Sequence, residues 1–209
     1  MTERQEHWRK VYRDKAPSEV SWYQAEPEPS LRALDRFGAK PSSSFIDVGG
    51  GASVLVDALL ERGWEDVTVL DIAEPALQAA KARLGPRADM VHWEVADITN
   101  WRPARKYDIW HDRAVFHFLT EAGQRDAYRR ALLEGLVPGG LLIVATFALD
   151  GPEKCSGLPV RRYDPETLAR EFGQRLQLIE GWREEHLTPW GSSQSFNWCA
   201  FREAEQEPA

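Results

Sequence analysis

The amino-acid sequence reads as an α/β fold, with a mostly parallel sheet covered by helices on both faces. Three observations predict it. Short apolar runs alternate with helix-forming stretches from Ser44 to Phe147. The first run, Phe45-Ile46-Asp47-Val48, breaks into Gly49-Gly50-Gly51, and the second, Val67-Thr68-Val69-Leu70, ends on Asp71. Breakers fall between the runs, at Pro75, Gly85-Pro86 and Pro138-Gly139-Gly140. Apolar strands separated by helices pair in parallel, because a crossover helix returns the chain to the same end of the sheet.

In chain order, a helix is expected over about 5–13, an irregular segment broken by Pro17, Pro27 and Pro29 over 16–29, and a helix over 30–37. The alternating part follows: strand 44–48, helix 53–62, strand 67–71, helix 75–84, strand 90–95, strand 107–111, helix 121–135 and strand 140–147. Pro75 suits the first position of its helix, and Gly85-Pro86 its end. Beyond a loop over 147–163, Asp164-Pro165-Glu166 opens a helix over 164–172 with a cap, a proline and an acid. Strands over 175–183 and 194–202 then form a hairpin across Glu184 to Ser193.

A length of 209 residues suits one domain. Within it, 1–40 is a helical leader or lid, 44–147 the cofactor-binding core, and 148–202 a substrate-side loop and C-terminal hairpin. Hydrophobic residues make up 43%, enough for a sizeable core. Met1 to Arg13 is charged, without an apolar signal-peptide region, and no apolar run reaches bilayer length, so a cytoplasmic protein without a membrane partner is expected. A net charge of −7 disfavours a nucleic-acid partner, since Arg129-Arg130 and Arg161-Arg162 are isolated pairs. Cys155 and Cys199 form neither a disulfide framework nor a metal-ligand pattern. A frayed polar tail is expected over Glu203 to Ala209.

The glycine turn carries the chemistry. Gly49 and Gly51 permit a tight turn and a close backbone approach to a ligand. Asp71, at the next strand's carboxyl end, can accept two hydrogen bonds from a ribose diol. A dinucleotide fingerprint, G-x-G-x-x-G, needs glycine at position 54, which is Val54. Asp47, two residues before the turn, would repel a pyrophosphate and suits a cationic amine.

The order D-x-G-x-G, then an acid at the second strand's end, resembles the class I S-adenosylmethionine-dependent methyltransferases. Two further segments match. Met90 to Ala96 is a strand closing on Asp97-Ile98, and Lys106 to Asp112 is a fourth strand, followed by Pro138-Gly139-Gly140 and a fifth. The resemblance implies a Rossmann-like, seven-stranded, mostly parallel sheet with an antiparallel C-terminal strand inserted. It also implies S-adenosyl-L-methionine as cofactor, with Gly49 and Gly51 against its amino-acid part and Asp71 on the ribose. Asp97 would then reach the adenine amine, with Ile72 and Ile98 as apolar neighbours of the two acids. Ser53 stands where the family places its last glycine, and a serine there can cap the following helix.

Methyl transfer from a sulfonium is an in-line displacement with a neutral leaving group, so positioning carries most of the catalysis. A base is required only if the nucleophile arrives protonated. The family places catalytic or substrate contacts after the fourth strand, here His111-Asp112-Arg113-Ala114-Val115-Phe116-His117. His117 is the candidate base or a structural histidine. His111 and Arg113 are candidate substrate contacts, and Asp112 either meets the methionyl amine or pairs with Arg113. If this segment turns helical, Arg113 and His117 share a face. In the leader, Trp8 and Tyr12 read as structural staples, and Trp22-Tyr23 as candidate substrate contacts. The leader also loosely resembles the start of the methyltransferase-like lysine methyltransferases of eukaryotes. Trp182, His186 and Trp190, with the 147–163 loop, are further candidate pocket walls.

The expected activity is therefore methyl transfer to a small molecule or a protein side chain, with the acceptor atom and the oligomeric state left open. The rival readings are a binding module that holds the cofactor without transfer, which Ser53 keeps open, and an NAD(P)-dependent oxidoreductase, which Val54 opposes.

Overall fold

The computed structural model describes residues 2–204. Its main sheet has seven strands in the order β3-β2-β1-β4-β5-β9-β8. The parallel part comprises β1 (Phe45–Val48), β2 (Val67–Asp71), β3 (Val91–Val95), β4 (Tyr107–Arg113) and β5 (Leu136–Phe147). The final pair, β8 (Leu176–Leu187) and β9 (Ser193–Glu203), is antiparallel, and β9 lies against β5. A small hairpin in the loop after β5 supplies β6 (Lys154–Cys155) and β7 (Leu158–Pro159). The helices are α1 (Glu3–Asp14), α2 (Glu28–Arg36), α3 (Leu55–Glu61), α4 (Glu74–Leu84), α5 (Ala122–Gly135) and α6 (Pro165–Phe172).

Alternation along each strand divides the core into two layers. Phe45, Val67, Val69, Ile109 and Ile143 pack with Leu34 of α2, Leu59 of α3 and Leu77 of α4. Ile46, Val48, Leu70, Trp110 and Leu142 pack on the other face, with Leu132 of α5 and Phe172 of α6. Every residue of β1 and β2 is buried, as two covered faces require. The chain order reverses at β1, which lies between β2 and β4, so the crevice at the strands' carboxyl ends opens there.

Several boundaries differ from expectation. β4 runs two residues further, through Arg113, because Ala114 continues the pairing with its N–H on the Ala145 carbonyl, 2.9 Å away. The segment after it does not become a helix that aligns Arg113 with His117. Ala114 has φ +74°, and only Phe116–Phe118 makes one 3-10 turn. β5 begins at Leu136, with Pro138, Gly139 and Gly140 accommodated in a shift of register against β4. The C-terminal hairpin turns at 188–192, so Glu184 to Leu187 lie within β8. Polar residues suit this edge strand, and the Ser193 and Ser195 hydroxyls donate to Glu185 across it at 2.5 and 2.6 Å. Glu203, expected in a frayed tail, is a buried strand residue paired with Arg175 at 2.5 Å. The rest of that expected tail, 205–209, lies outside the described residues.

Candidate active site

The turn after β1 is built by three glycines in three different ways. Gly49 has φ +72°, and a Cβ there would come within 2.0 Å of the Val115 Cγ2 methyl. At Gly50 a Cβ would meet the Asp47 carboxylate at 2.5 Å. Gly51, φ +49°, lies under the Tyr12 hydroxyl, with Asp71 Oδ2 3.0 Å from where a Cβ would stand. The turn is tied to β2 by Gly49 N–H on the Leu70 carbonyl, 2.7 Å, and to α4 by Arg83, which donates to the Ala52 and Ser53 carbonyls at 2.9 and 2.7 Å. The Ser53 hydroxyl accepts the Leu55 N–H at 3.1 Å, supporting the entrance to α3.

Two carboxylates sit at the next strand ends. Asp71 is buried and accepts the Ala73 N–H at 2.7 Å. Burial pushes its pKa up to about 7, against the hydrogen bond from Ala73 and with the nearby Asp47 adding to the rise. Asp97, beyond β3, behaves oppositely. Burial alone would raise it, but Arg4 Nη2 donates to both of its oxygens at 2.6 and 2.7 Å, and the Thr99 N–H and hydroxyl add two more bonds. These hold Asp97 below the usual carboxylate range.

β1 and β4 share a buried polar chain. His111 Nδ1 lies 2.7 Å from Asp47 Oδ1, and its Nε2 lies 3.0 Å from the Ser30 hydroxyl of α2. One residue further, Asp112 neither pairs with Arg113 nor faces a cavity. Its carboxylate accepts the Val115 N–H at 2.7 Å, the Phe116 N–H at 3.1 Å and the Tyr128 hydroxyl at 2.7 Å. The side chain thus braces the turn that follows β4, and burial raises it to about 6. Arg113 Nη1 donates to the Trp22 carbonyl at 2.9 Å, and its guanidinium lies 5.6 Å over the Phe196 ring.

These elements enclose two adjoining cavities. The larger is lined by Gly49, Asp71, Ile72, Asp97, Ile98 and Arg113 from the sheet ends. Trp8, Tyr12 and Trp22 of the leader cover it, and Val115, Phe118, Phe147, Cys155, Gln194 and Phe196 close the far side. The smaller is lined by Asp47, Gly49, Gly50, Ser53 and His111, with Trp22, Tyr23 and Arg113. Gly49, Tyr12, Trp22 and Arg113 border both. An acid for a diol, apolar residues beside it and a polar pocket around the glycine turn fit a nucleoside that carries an amino-acid tail.

Most sequence candidates therefore converge, and several do not. His117 lines neither cavity. It is fully buried between Phe118 and Phe147, its Nδ1 accepting the Phe147 N–H at 3.3 Å. Burial, reinforced by Arg113, pulls its pKa down to about 3, so it is a neutral structural histidine. Trp8 and Tyr12, read as staples, line the larger cavity. Trp182, His186 and Trp190 line neither: Trp182 stacks on Trp198, His186 donates to the Ser21 carbonyl at 2.7 Å, and Trp190 is exposed. The 147–163 loop, expected as a pocket wall, supplies Phe147 and Cys155, whereas Arg4, Gln194 and Phe196 were missed. Their one sequence signal was position, in the leader or at the amino end of the antiparallel strand that lies beside β5. Among the described residues no group of three metal-ligating side chains converges.

Comparison with known proteins agrees with this geometry. A family model described as "Methyltransferase domain" matches residues 45–140. Thiocyanate methyltransferase 1 of Arabidopsis thaliana is 29% identical over 146 residues, which are 68% of this chain and 61% of that protein. Ribosomal protein L11 methyltransferase of Shouchella clausii is 28% identical over 135 residues, 63% of this chain and 42% of that protein. The chain thus spans 42% and 61% of these two curated relatives. The fold is also that of the N-methyltransferase NodS from Bradyrhizobium japonicum in complex with S-adenosylhomocysteine. Its TM-score is 0.72 at 17% identity, over 94% of this chain and 98% of that one. With the glycine turn, the two acid-tipped strands and the inserted antiparallel strand all in place, the chain resembles the class I S-adenosylmethionine-dependent methyltransferases over the matched segment and shares their fold; members of that family use S-adenosylmethionine as cofactor.

Proposed function

We propose that this protein transfers a methyl group from S-adenosylmethionine to a small-molecule acceptor. The observation that carries the reading is the larger cavity. One wall is Gly49, Asp71, Ile72, Asp97 and Ile98, and the other is Phe118, Phe147 and Phe196, with Arg113 between them. When bound, the cofactor supplies a methyl group activated on a sulfonium. Asp71 accepts hydrogen bonds from the ribose hydroxyls, and Ile72 and Ile98 flank the adenine. Asp97 takes the adenine amine alongside Arg4, while Gly49, Gly51, Asp47 and His111 surround the amino-acid end. Trp8 and Trp22 exclude water from the reacting centre.

The relatives' names include both small-molecule and protein acceptors, and the cover over this site supports the former. α1 lies across the mouth, held by Arg4 on Asp97 and by Arg9 beside Glu74, 3.9 Å away. A folded protein reaches such a site poorly, whereas a small molecule needs only a transient opening. No helix among the described residues is long and apolar enough to cross a membrane. Cys155 and Cys199 are free thiols, which supports a reducing, cytoplasmic setting.

The test is transfer of a tritiated methyl group from S-adenosylmethionine, with the purified protein added to fractionated small-molecule and protein pools of a cell extract. Label entering the small-molecule fraction, and lost with Asp71→Ala, supports the proposal. Label confined to protein, or no label in either pool, contradicts it.

A further inference from the structure

The larger cavity holds a cation without a charged partner within ion-pair distance among the described residues. Arg113 Nη2 is removed from solvent and has no hydrogen-bond partner among the described residues. Nη1 is satisfied by the Trp22 carbonyl, and the aromatic face of Phe196 covers the group. Burial pulls the pKa of this guanidinium down to about 10, and Glu184 and Asp47 act on it only through space. It therefore stays charged at neutral pH on the side of the pocket that Trp22, Val115, Phe118, Phe147 and Phe196 wall, with Asp71 and Asp97 at the strand ends. An unpaired buried charge is costly, and a ligand that neutralises it regains that cost as affinity.

A second observation concerns proton removal. Among the described residues, no histidine or glutamate lines the larger cavity. Its two aspartates sit at the strand ends, Asp97 already held by Arg4. Burial raises both the Tyr12 hydroxyl and the Cys155 thiol, the latter to about 11, so neither takes up a proton as a base near neutrality. His117 faces away, with its Nδ1 already accepting. With Asp71 engaged by the ribose hydroxyls and Asp97 by Arg4, no other side chain lining the cavity, among the described residues, is placed to receive a proton from a nucleophile that arrived protonated.

Resting on the methyltransferase reading above, we propose that the acceptor is a small organic monoanion with an apolar body, its charged atom held by Arg113 Nη2. The acceptor enters already ionised, its own electron pair forms the new bond to the methyl carbon, the pair of the broken carbon–sulfur bond stays on sulfur, and no proton moves. The aromatic walls hold the apolar body, and Arg113 sets which end faces the methyl group.

The experiment uses protein loaded with S-adenosylhomocysteine, titrated calorimetrically with thiophenolate, benzoate and the neutral thioanisole. Both anions bind, and thioanisole binds at least about tenfold more weakly. Arg113→Met weakens anion binding roughly 30-fold, Arg113→Lys recovers part of it, and S-adenosylhomocysteine affinity stays within about threefold in both variants. With S-adenosylmethionine, the pH profile of thiophenol methylation follows the ionisation of each substituted thiophenol and shifts with its acidity. Equal binding of thioanisole, absence of anion binding to the loaded wild type, or a pH profile fixed across the thiophenols overturns the proposal. So does Arg113→Met losing S-adenosylhomocysteine and sparing the anions, since Arg113 would then serve the cofactor's carboxylate. Failure of the wild type to bind S-adenosylhomocysteine overturns the methyltransferase reading itself, and is seen before any anion is added.

Discussion

At the residue scale, single side chains near the turn carry opposing demands. Gly49 combines a left-handed backbone with contact against Val115. Gly49→Ala is expected to destabilise the fold by roughly 2–4 kcal/mol, combining the conformational penalty with a displaced Val115. Gly49→Ala with Val115→Ala should recover part of that loss in urea denaturation, because the two positions share one contact. Asp71 shows the cost of a buried carboxylate. Its folded pKa of about 7 lies above the ordinary 3.8, so its contribution to stability is full below pH 3.8 and is lost as pH rises through 7. Asp71→Asn keeps an acceptor for Ala73 and removes the buried charge. It should be more stable than wild type at pH 8 by up to about 4 kcal/mol, with the advantage gone near pH 4. Equal melting-temperature differences at both pH values would contradict this. The glycines and Asp71 were legible in the sequence because their task is local to one strand end. Asp112 was not, because its partner Tyr128 sits 16 residues away on α5 and is brought to it only by packing.

At the scale of elements, α1 is the informative case. None of its residues is fully buried, yet it crosses the cavity mouth and places Trp8 and Tyr12 in the lining. Its hold is a few polar contacts, chiefly Arg4 on Asp97 and Thr99. Arg4→Ala should speed dissociation of S-adenosylhomocysteine about fivefold to tenfold in stopped-flow fluorescence, as one charge-assisted contact is lost from the lid. Faster hydrogen exchange confined to α1 should accompany it. An unchanged dissociation rate would show that α1 does not gate the site. The helical period of the leader was readable, and its staple role was inferred from the aromatic spacing of Trp8 and Tyr12. What the pattern lacked was the address: α1 packs against α4, some 60 residues later, and that places its aromatic face over the crevice. The C-terminal hairpin teaches a related lesson. Glu184, Glu185 and His186 look like turn residues, but they continue the edge strand β8, with Glu185 on its open face and His186 buried against the Ser21 carbonyl.

For the molecule as a whole, buried titratable groups act in opposite directions on stability. His117 is held neutral by burial, with a folded pKa of about 3 against 6.5, so its contribution is present above pH 6.5 and is lost as pH falls. Asp71 and Asp112 gain stability over much of the same descent. Their slopes offset in the wild type. His117→Gln removes one side of the balance, and its stability relative to wild type should improve by about 1 kcal/mol per pH unit below pH 6.5. Denaturation at pH 7.5, 6.0 and 5.0 measures this, and a constant difference would contradict a buried neutral imidazole. The parallel sheet covered on both faces followed from alternation, and the inserted antiparallel strand from the family resemblance, so the architecture was largely readable. The cavity's far wall was less so. Phe147 and Phe196 meet only because β9 inserts beside β5, a placement that strand propensity does not encode.

We propose that the crevice between β1, β2 and β4 binds the nucleoside of S-adenosylmethionine through Asp71. Calorimetric titration of the wild type and Asp71→Ala with S-adenosylhomocysteine and with NADH tests it most directly. One-to-one binding of S-adenosylhomocysteine to the wild type is expected, weakened roughly 10–150-fold in the variant as charge-assisted hydrogen bonds are lost, with no binding of NADH. Silence with S-adenosylhomocysteine, or the same affinity in both proteins, would contradict the account.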